Sequence, residues 1–113
     1  MASAHFAFTT PPGDKEFVIE LTDDTLIAKA RKILAGEEKK ETHIGGRIKK
    51  ETASYNPGWY FHLDPSTIRF FDTGLEVLDA DASYTDDHID EAGGVFLPGG
   101  HWYPQASTLT REV

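Results

Sequence analysis

Residues 84–104 read YTDDHIDEAGGVFLPGGHWYP, and the punctuation in this stretch decides how the chain turns back over its own core. Thr85 is placed to cap a short acidic helix, with Asp86 and Asp87 in its first turn facing the positive end of the helix dipole. Gly93 and Gly94 stop that helix, because glycine enters the left-handed conformation of a helix end without a Cβ penalty. A second break, Pro98-Gly99-Gly100, pins Val95, Phe96 and Leu97 between two turns. His101, Trp102, Tyr103 and Pro104 follow as a dense group of large side chains on a shaped loop. Trp102 either folds inward or anchors a partner.

Working outward, residues 5–9 alternate aromatic and small side chains, residues 11–14 (PPGD) make a turn, and residues 16–21 put Phe17, Ile19 and Leu21 on one face. This pattern predicts a β-hairpin. A helix is expected over 22–35, with Thr22 at its start, Asp23 and Asp24 in the first turn, Leu21 meeting Leu26 as a staple, and Gly36 closing it. Leu26, Ile27, Ala30, Ile33 and Leu34 fall at helical spacing and form the stripe that should cover a sheet. Residues 37–41 read as a charged, solvated connection.

Residues 42–50 read as a strand with Ile44 and Ile48 inward, where Gly45-Gly46 either forms a bulge or lets another segment approach closely. Trp59, Phe61 and Leu63 share one face of an alternating run over 59–63, with Tyr60 and His62 on the other. Further strands are expected over 67–72, 75–80 and 107–112, and the short connections favour antiparallel neighbours. The fold expected is α+β: a single two-layer domain over residues 1–113, with an antiparallel sheet of five or six strands, one main helix on one face and a second short acidic helix.

A chain of 113 residues suits one core and is too short for two. Hydrophobic residues at 39% and aromatic residues at 12% are enough to fill that core, which argues against wholesale disorder. The absence of Cys excludes disulfides, thiolate metal sites and a cysteine nucleophile. Neither a secretion signal nor an apolar run of membrane-spanning length is visible, so a soluble protein is expected, with the cytoplasm favoured. Residues 1–57 hold nine Lys/Arg and nine Asp/Glu, whereas residues 58–113 hold two and ten, so the net charge of −8 belongs to the second half. Nucleic acid and membrane are poor partners for such a surface, and a cation or a basic protein suits it better.

Four segments together resemble the N-terminal domain of the BP-seventy-four-like family, small proteins sometimes described as calcium-binding or calmodulin-binding. They are FVIELTDDTLIAKARKIL (17–34), YNPGWYFHLDPSTIRFFD (55–72), LEVLDA (75–80) and DDHIDEAGGVFLPGGHWYP (86–104), with the closing REV. The resemblance covers nearly the whole chain. Many members look secreted and carry Cys at the positions of Leu78 and Tyr103, which would suit a disulfide. This chain departs at both positions, away from an extracellular setting, and apolar contact between the two side chains is the expected substitute.

The calcium implication has some support in the residues, because Asp79, Asp81, Asp86, Asp87, Asp90 and Glu91 crowd into thirteen positions and Ca²⁺ takes several hard oxygen ligands. An EF-hand register from Asp79 fails, since it puts Tyr84 at the turn-glycine position. The alternative is that these acids stabilise a helix start and face solvent. Calmodulin is not favoured as a partner: the helix carrying Lys29, Arg31 and Lys32 also carries Asp23 and Asp24, and its apolar stripe is needed for the core. Of the five histidines, His5, His43, His62, His88 and His101, none forms a metal motif. The pairs His62 with Asp64, and His88 with Asp87 and Glu91, are those a small hydrolase would use.

A non-enzymatic protein-binding module, calcium-responsive in one form, is therefore the leading expectation, with His101, Trp102 and Tyr103 facing a basic partner. A peptidase inhibitor presenting a rigid loop and a small hydrolase are the alternatives.

Overall fold

The computed structural model describes residues 3–11, 13–72 and 78–113. The predicted hairpin forms from β1 (Ala4–Thr9) and β2 (Phe17–Leu21), antiparallel with Phe6 opposite Ile19 and Phe8 opposite Phe17. Alternation puts Phe17, Ile19 and Leu21 in the core at zero exposure, as a period of two requires. The helix α1 (Asp24–Leu34) starts later than Thr22 suggests. Asp23 caps it, its carboxylate accepting from the amides of Thr25 at 2.7 Å and Leu26 at 3.3 Å. Gly36, at φ 79, releases the chain from the helix end. Ile27 and Ala30 are buried, while Leu26, Ile33 and Leu34 are only partly covered against the same core, so the apolar stripe is correct in direction and shallower than its pattern suggests.

Next come β3 (His43–Lys49), β4 (His62–Leu63) and β5 (Arg69–Phe71), then α2 (Ala82–Asp87), β6 (Ala92–Gly93), β7 (Phe96–Pro98), β8 (His101–Trp102) and β9 (Thr108–Glu112). The α+β class holds. The single sheet of five or six strands is divided instead: β2-β1-β9 form one sheet, β3 pairs successively with β5, β8 and β4 in another, and β6 and β7 make a two-residue parallel pair. The run 59–63 is a strand only at His62–Leu63, because the chain turns at 57–60. Of the strand expected over 75–80, residues 75–77 lie outside the described residues, and Asp79 and Ala80 have no regular structure.

Between the sheets lies an aromatic core. Trp102 packs with ring centroids 5.9 Å from Phe8, 5.5 Å from Phe17 and 5.5 Å from Phe61, in the tilted and edge-on geometries that ring quadrupoles favour. Trp59 joins through Phe17 at 5.4 Å. At Gly45 the close-approach alternative is realised, since an added Cβ would fall inside the Tyr103 ring. Among the described residues no helix is long and apolar enough to cross a membrane.

Candidate functional site

The acidic helix α2 begins at Asp81, not at Thr85. The Asp81 carboxylate accepts from the Tyr84 amide at 2.7 Å, and the Ala82 amide donates to Thr10 Oγ1 at 2.9 Å, fastening the helix start to the end of β1. Thr85 is buried and donates to the Asp81 carbonyl at 2.9 Å. Asp86 and Asp87 therefore sit in the last turn, where the dipole does not favour them.

This earlier start creates a surface. Tyr84 and His88 are four residues apart on one helix face, and their rings stack at 4.1 Å with 20° between planes. Phe96 meets both edge-on, at 5.5 Å from Tyr84 and 6.3 Å from His88. Tyr84 is half exposed, and Val95 beside Phe96 is wholly exposed. The loop that carries them is held by Leu97, buried completely with φ 48. Such a backbone costs a bulky residue of order 1–3 kcal/mol and persists only where packing over-determines it. Alongside, an open cleft of about 570 Å³ has both cations, Arg47 and Lys50, and acids, Asp90 and Glu91, in its lining.

The six candidate calcium ligands are dispersed. Asp79 accepts from the Gln105 amide at 2.9 Å, Asp81 caps α2, and Asp86 accepts from the Tyr60 amide at 2.8 Å. Asp87, Asp90 and Glu91 are exposed. Among the described residues no three His, Cys, Asp or Glu side chains are grouped to hold a metal ion.

Of the expected partner-facing residues, His101 is exposed and stacks on Tyr103 at 6.2 Å. Tyr103 is half-buried over Phe71 at 5.5 Å. Trp102 is fully buried, its indole N–H donating to the Ala80 carbonyl at 2.8 Å. It belongs to the core because alternation along β8 turns it inward when His101 faces out, so it cannot anchor a partner in this fold.

Nor are the expected imidazole–carboxylate pairs formed. His62 Nδ1 donates to the Glu51 carbonyl at 2.9 Å and His88 Nδ1 to the Tyr84 carbonyl at 2.9 Å. Asp64 accepts from the amide and hydroxyl of Ser66; burial pushes its carboxyl up, and these bonds together with the Lys49 and His62 charges offset that, leaving it below its ordinary value. The pair that does form is His5 with Glu20 at 3.1 Å, beside Tyr55. Burial, with the Glu20 and Asp64 charges behind it, pushes the Tyr55 phenol up. Sequence reasoning missed both this pair and the Tyr84–His88 stack. The stack becomes legible only once the helix is known to include Tyr84.

The described residues include the segments 17–34, 55–72 and 86–104 that carried the family resemblance in full, and residues 78–80 of the fourth. No curated protein and no solved structure matches the chain. One family description does match, the BP-seventy-four N-terminal domain, and it spans residues 2–113. With essentially the whole chain covered, the protein belongs to the BP-seventy-four N-terminal domain family.

Proposed function

We propose that this domain is a non-enzymatic protein-binding module that engages a basic partner through Tyr84, His88, Val95 and Phe96. The observation that carries the reading is the exposed aromatic stack on α2 within a stretch, residues 70–110, that contains eight acids and no Lys or Arg. Rings left in solvent at the edge of a filled core mark contact surfaces. The surrounding charge selects a cationic partner and speeds its approach.

The test is capture from native extract on immobilised domain, comparing wild type with Tyr84→Ala and Val95→Asp, both at exposed positions. A basic protein retained by wild type, released by high salt and lost from both variants is the expected result. Equal retention by the variants overturns the reading. Repeating the capture with calcium and with chelator tests the calcium-responsive form.

A second reading, a peptidase inhibitor, draws on one observation: Val95 is wholly exposed two residues before the buried Leu97 that fixes the loop. Stoichiometric block of a protease, abolished by Val95→Asp, would favour it.

A further inference from the structure

We infer that the cavity shared by the turn at 57–60, Lys15 and Asp86 is a binding site for a pyranose sugar, its ring lying against Tyr60 and two neighbouring hydroxyls bonded to Lys15 and Asp86. The site uses none of Tyr84, His88, Val95 and Phe96, so it does not rest on the binding-module reading.

Three segments distant in sequence build it. A cavity of about 260 Å³ has Lys15, Thr52, Trp59, Tyr60 and Asp86 in its lining. Lys15 comes from the connection between β1 and β2, and Asp86 from the last turn of α2. Both charged groups are held by backbone atoms of the turn. The Lys15 ammonium donates to the Gly58 carbonyl at 2.6 Å and lies 4.4 Å from the centre of the Trp59 ring. The Asp86 carboxylate accepts from the Tyr60 amide at 2.8 Å. Among the described residues no ion pair joins Lys15 to Asp86, although both line so small a space. An ammonium has three donors and a carboxylate about four acceptor sites, so each keeps hydrogen-bonding capacity beyond its backbone contact.

This lining favours a neutral ligand. A cation entering the cavity is repelled by Lys15 and an anion by Asp86, so neither sign gains from the two together. A hydroxyl both donates and accepts. Of two neighbouring pyranose hydroxyls, one can accept from the ammonium while the other donates to the carboxylate, in the charge-assisted bonds that are the stronger kind.

Tyr60 supplies the apolar wall. It is 72% exposed, whereas Trp59 beside it is committed to the core. The face of a tyrosine ring is negative, and the C–H bonds on one side of a pyranose, polarised by the adjacent oxygens, are drawn to such a face. Pockets for drug-sized ligands run to about 300–1,000 Å³, so this smaller one suits a single sugar ring.

The probes are the methyl glycosides of glucose, galactose, mannose and N-acetylglucosamine, each titrated into the intact domain while the Tyr60 ring and amide resonances are followed by NMR. Saturable shifts with at least one glycoside are expected. The open-chain alditol of that sugar, which keeps the hydroxyls and loses the C–H face, should bind about tenfold more weakly. Tyr60→Trp should keep binding, and Tyr60→Ala, at a surface position, should abolish it. Asp86→Asn keeps an oxygen for the Tyr60 amide but loses the charge, and should weaken binding about tenfold. No shift with any glycoside, an alditol that binds as its parent sugar does, or a Tyr60→Ala variant that binds like wild type overturns the inference. A proline-rich peptide that shifts the Tyr60 resonances where every glycoside fails also overturns it, and makes the cavity a peptide site. An oligosaccharide ending in the bound sugar separates the sources: tighter binding than the methyl glycoside assigns a glycan terminus, and equal binding assigns the free sugar.

Discussion

Ser107 joins the two sheets at Ile44: its hydroxyl oxygen accepts from the buried Ile44 amide at 2.8 Å, and the same hydroxyl lies 2.7 Å from the Pro104 carbonyl and 3.2 Å from the Ile44 carbonyl. His43 Nδ1 adds a bond to the Ser107 carbonyl at 2.9 Å. A side chain thus takes the place of a ladder between β9 and β3. Ser107→Ala leaves the Ile44 N–H without an acceptor and should cost about 1–3 kcal/mol. The urea midpoint reads it, and an unshifted midpoint would show that the sheets are joined by other means.

Tyr103 donates its backbone amide to the Leu78 carbonyl at 3.0 Å, which brings together the two positions where the family resemblance implies a disulfide. The bond draws their Cα atoms within the roughly 7 Å that a disulfide spans. Leu78→Cys with Tyr103→Cys should oxidise to a monomer that melts higher than its reduced form. Thiols that stay free under mild oxidant would reject the geometry. Gly45→Ala, which drives a Cβ into the Tyr103 ring, should cost about 1–3 kcal/mol as an overpacked site.

Trp102 and Tyr84 should separate stability from binding. Trp102→Ala removes a ring packed by three others and should lose about 3–5 kcal/mol of stability. Tyr84→Ala, on the surface, should stay within about 0.5 kcal/mol of wild type. Unfolding midpoints of the two variants, measured side by side, check this ordering; a near-neutral Trp102→Ala would return the indole to the surface.

Asp81 has a structural task that needs no ion. Asp81→Ala removes the α2 cap and should cost about 0.5–2 kcal/mol, by the same amount in chelator and in calcium. A wild-type melting temperature that rises with millimolar calcium, and no longer does so in Asp79→Asn with Asp81→Asn, would instead place an ion among these acids.

Acid should loosen β9. The Arg111 guanidinium bonded to Glu16, with Thr110 assisting, holds that carboxyl below its ordinary value of 4.5. Arg31 does the same for Glu112 through bonds of 3.0 and 2.9 Å. Folding lowers both values, so their contribution is fully present above pH 4.5 and is lost as pH falls through the lowered values. Arg111→Ala with Arg31→Ala should therefore lower the urea midpoint at neutral pH and make no difference once both glutamates are protonated. A midpoint deficit that persists in strong acid would assign the effect to lost packing.

Local pattern alone carried the hairpin, the main helix and the class of the fold. The alternation of Phe17, Ile19 and Leu21, and the helical spacing of Ile27 and Ala30, depend on neighbours in the chain, and binary patterning specifies such elements directly. The turn at Gly99 and Gly100 and the family segments were equally readable, as was the charge of the second half, whereas α2 ends at the His88 cap, well before the Gly93-Gly94 pair expected to stop it.

Contacts between distant residues decided the rest. Whether Thr85 or Asp81 capped the acidic helix turned on Thr10, which sits seventy-two positions from Ala82 and fastens the helix start. Trp102 could face either way until Phe8, Phe17 and Phe61 met around it. The six acids are neighbours in sequence, yet Gln105 and Tyr60 draw Asp79 and Asp86 to different backbone donors. A spacing in sequence fixes which side chains share a local face; which polar groups are satisfied, and by whom, is settled only when the whole chain is packed.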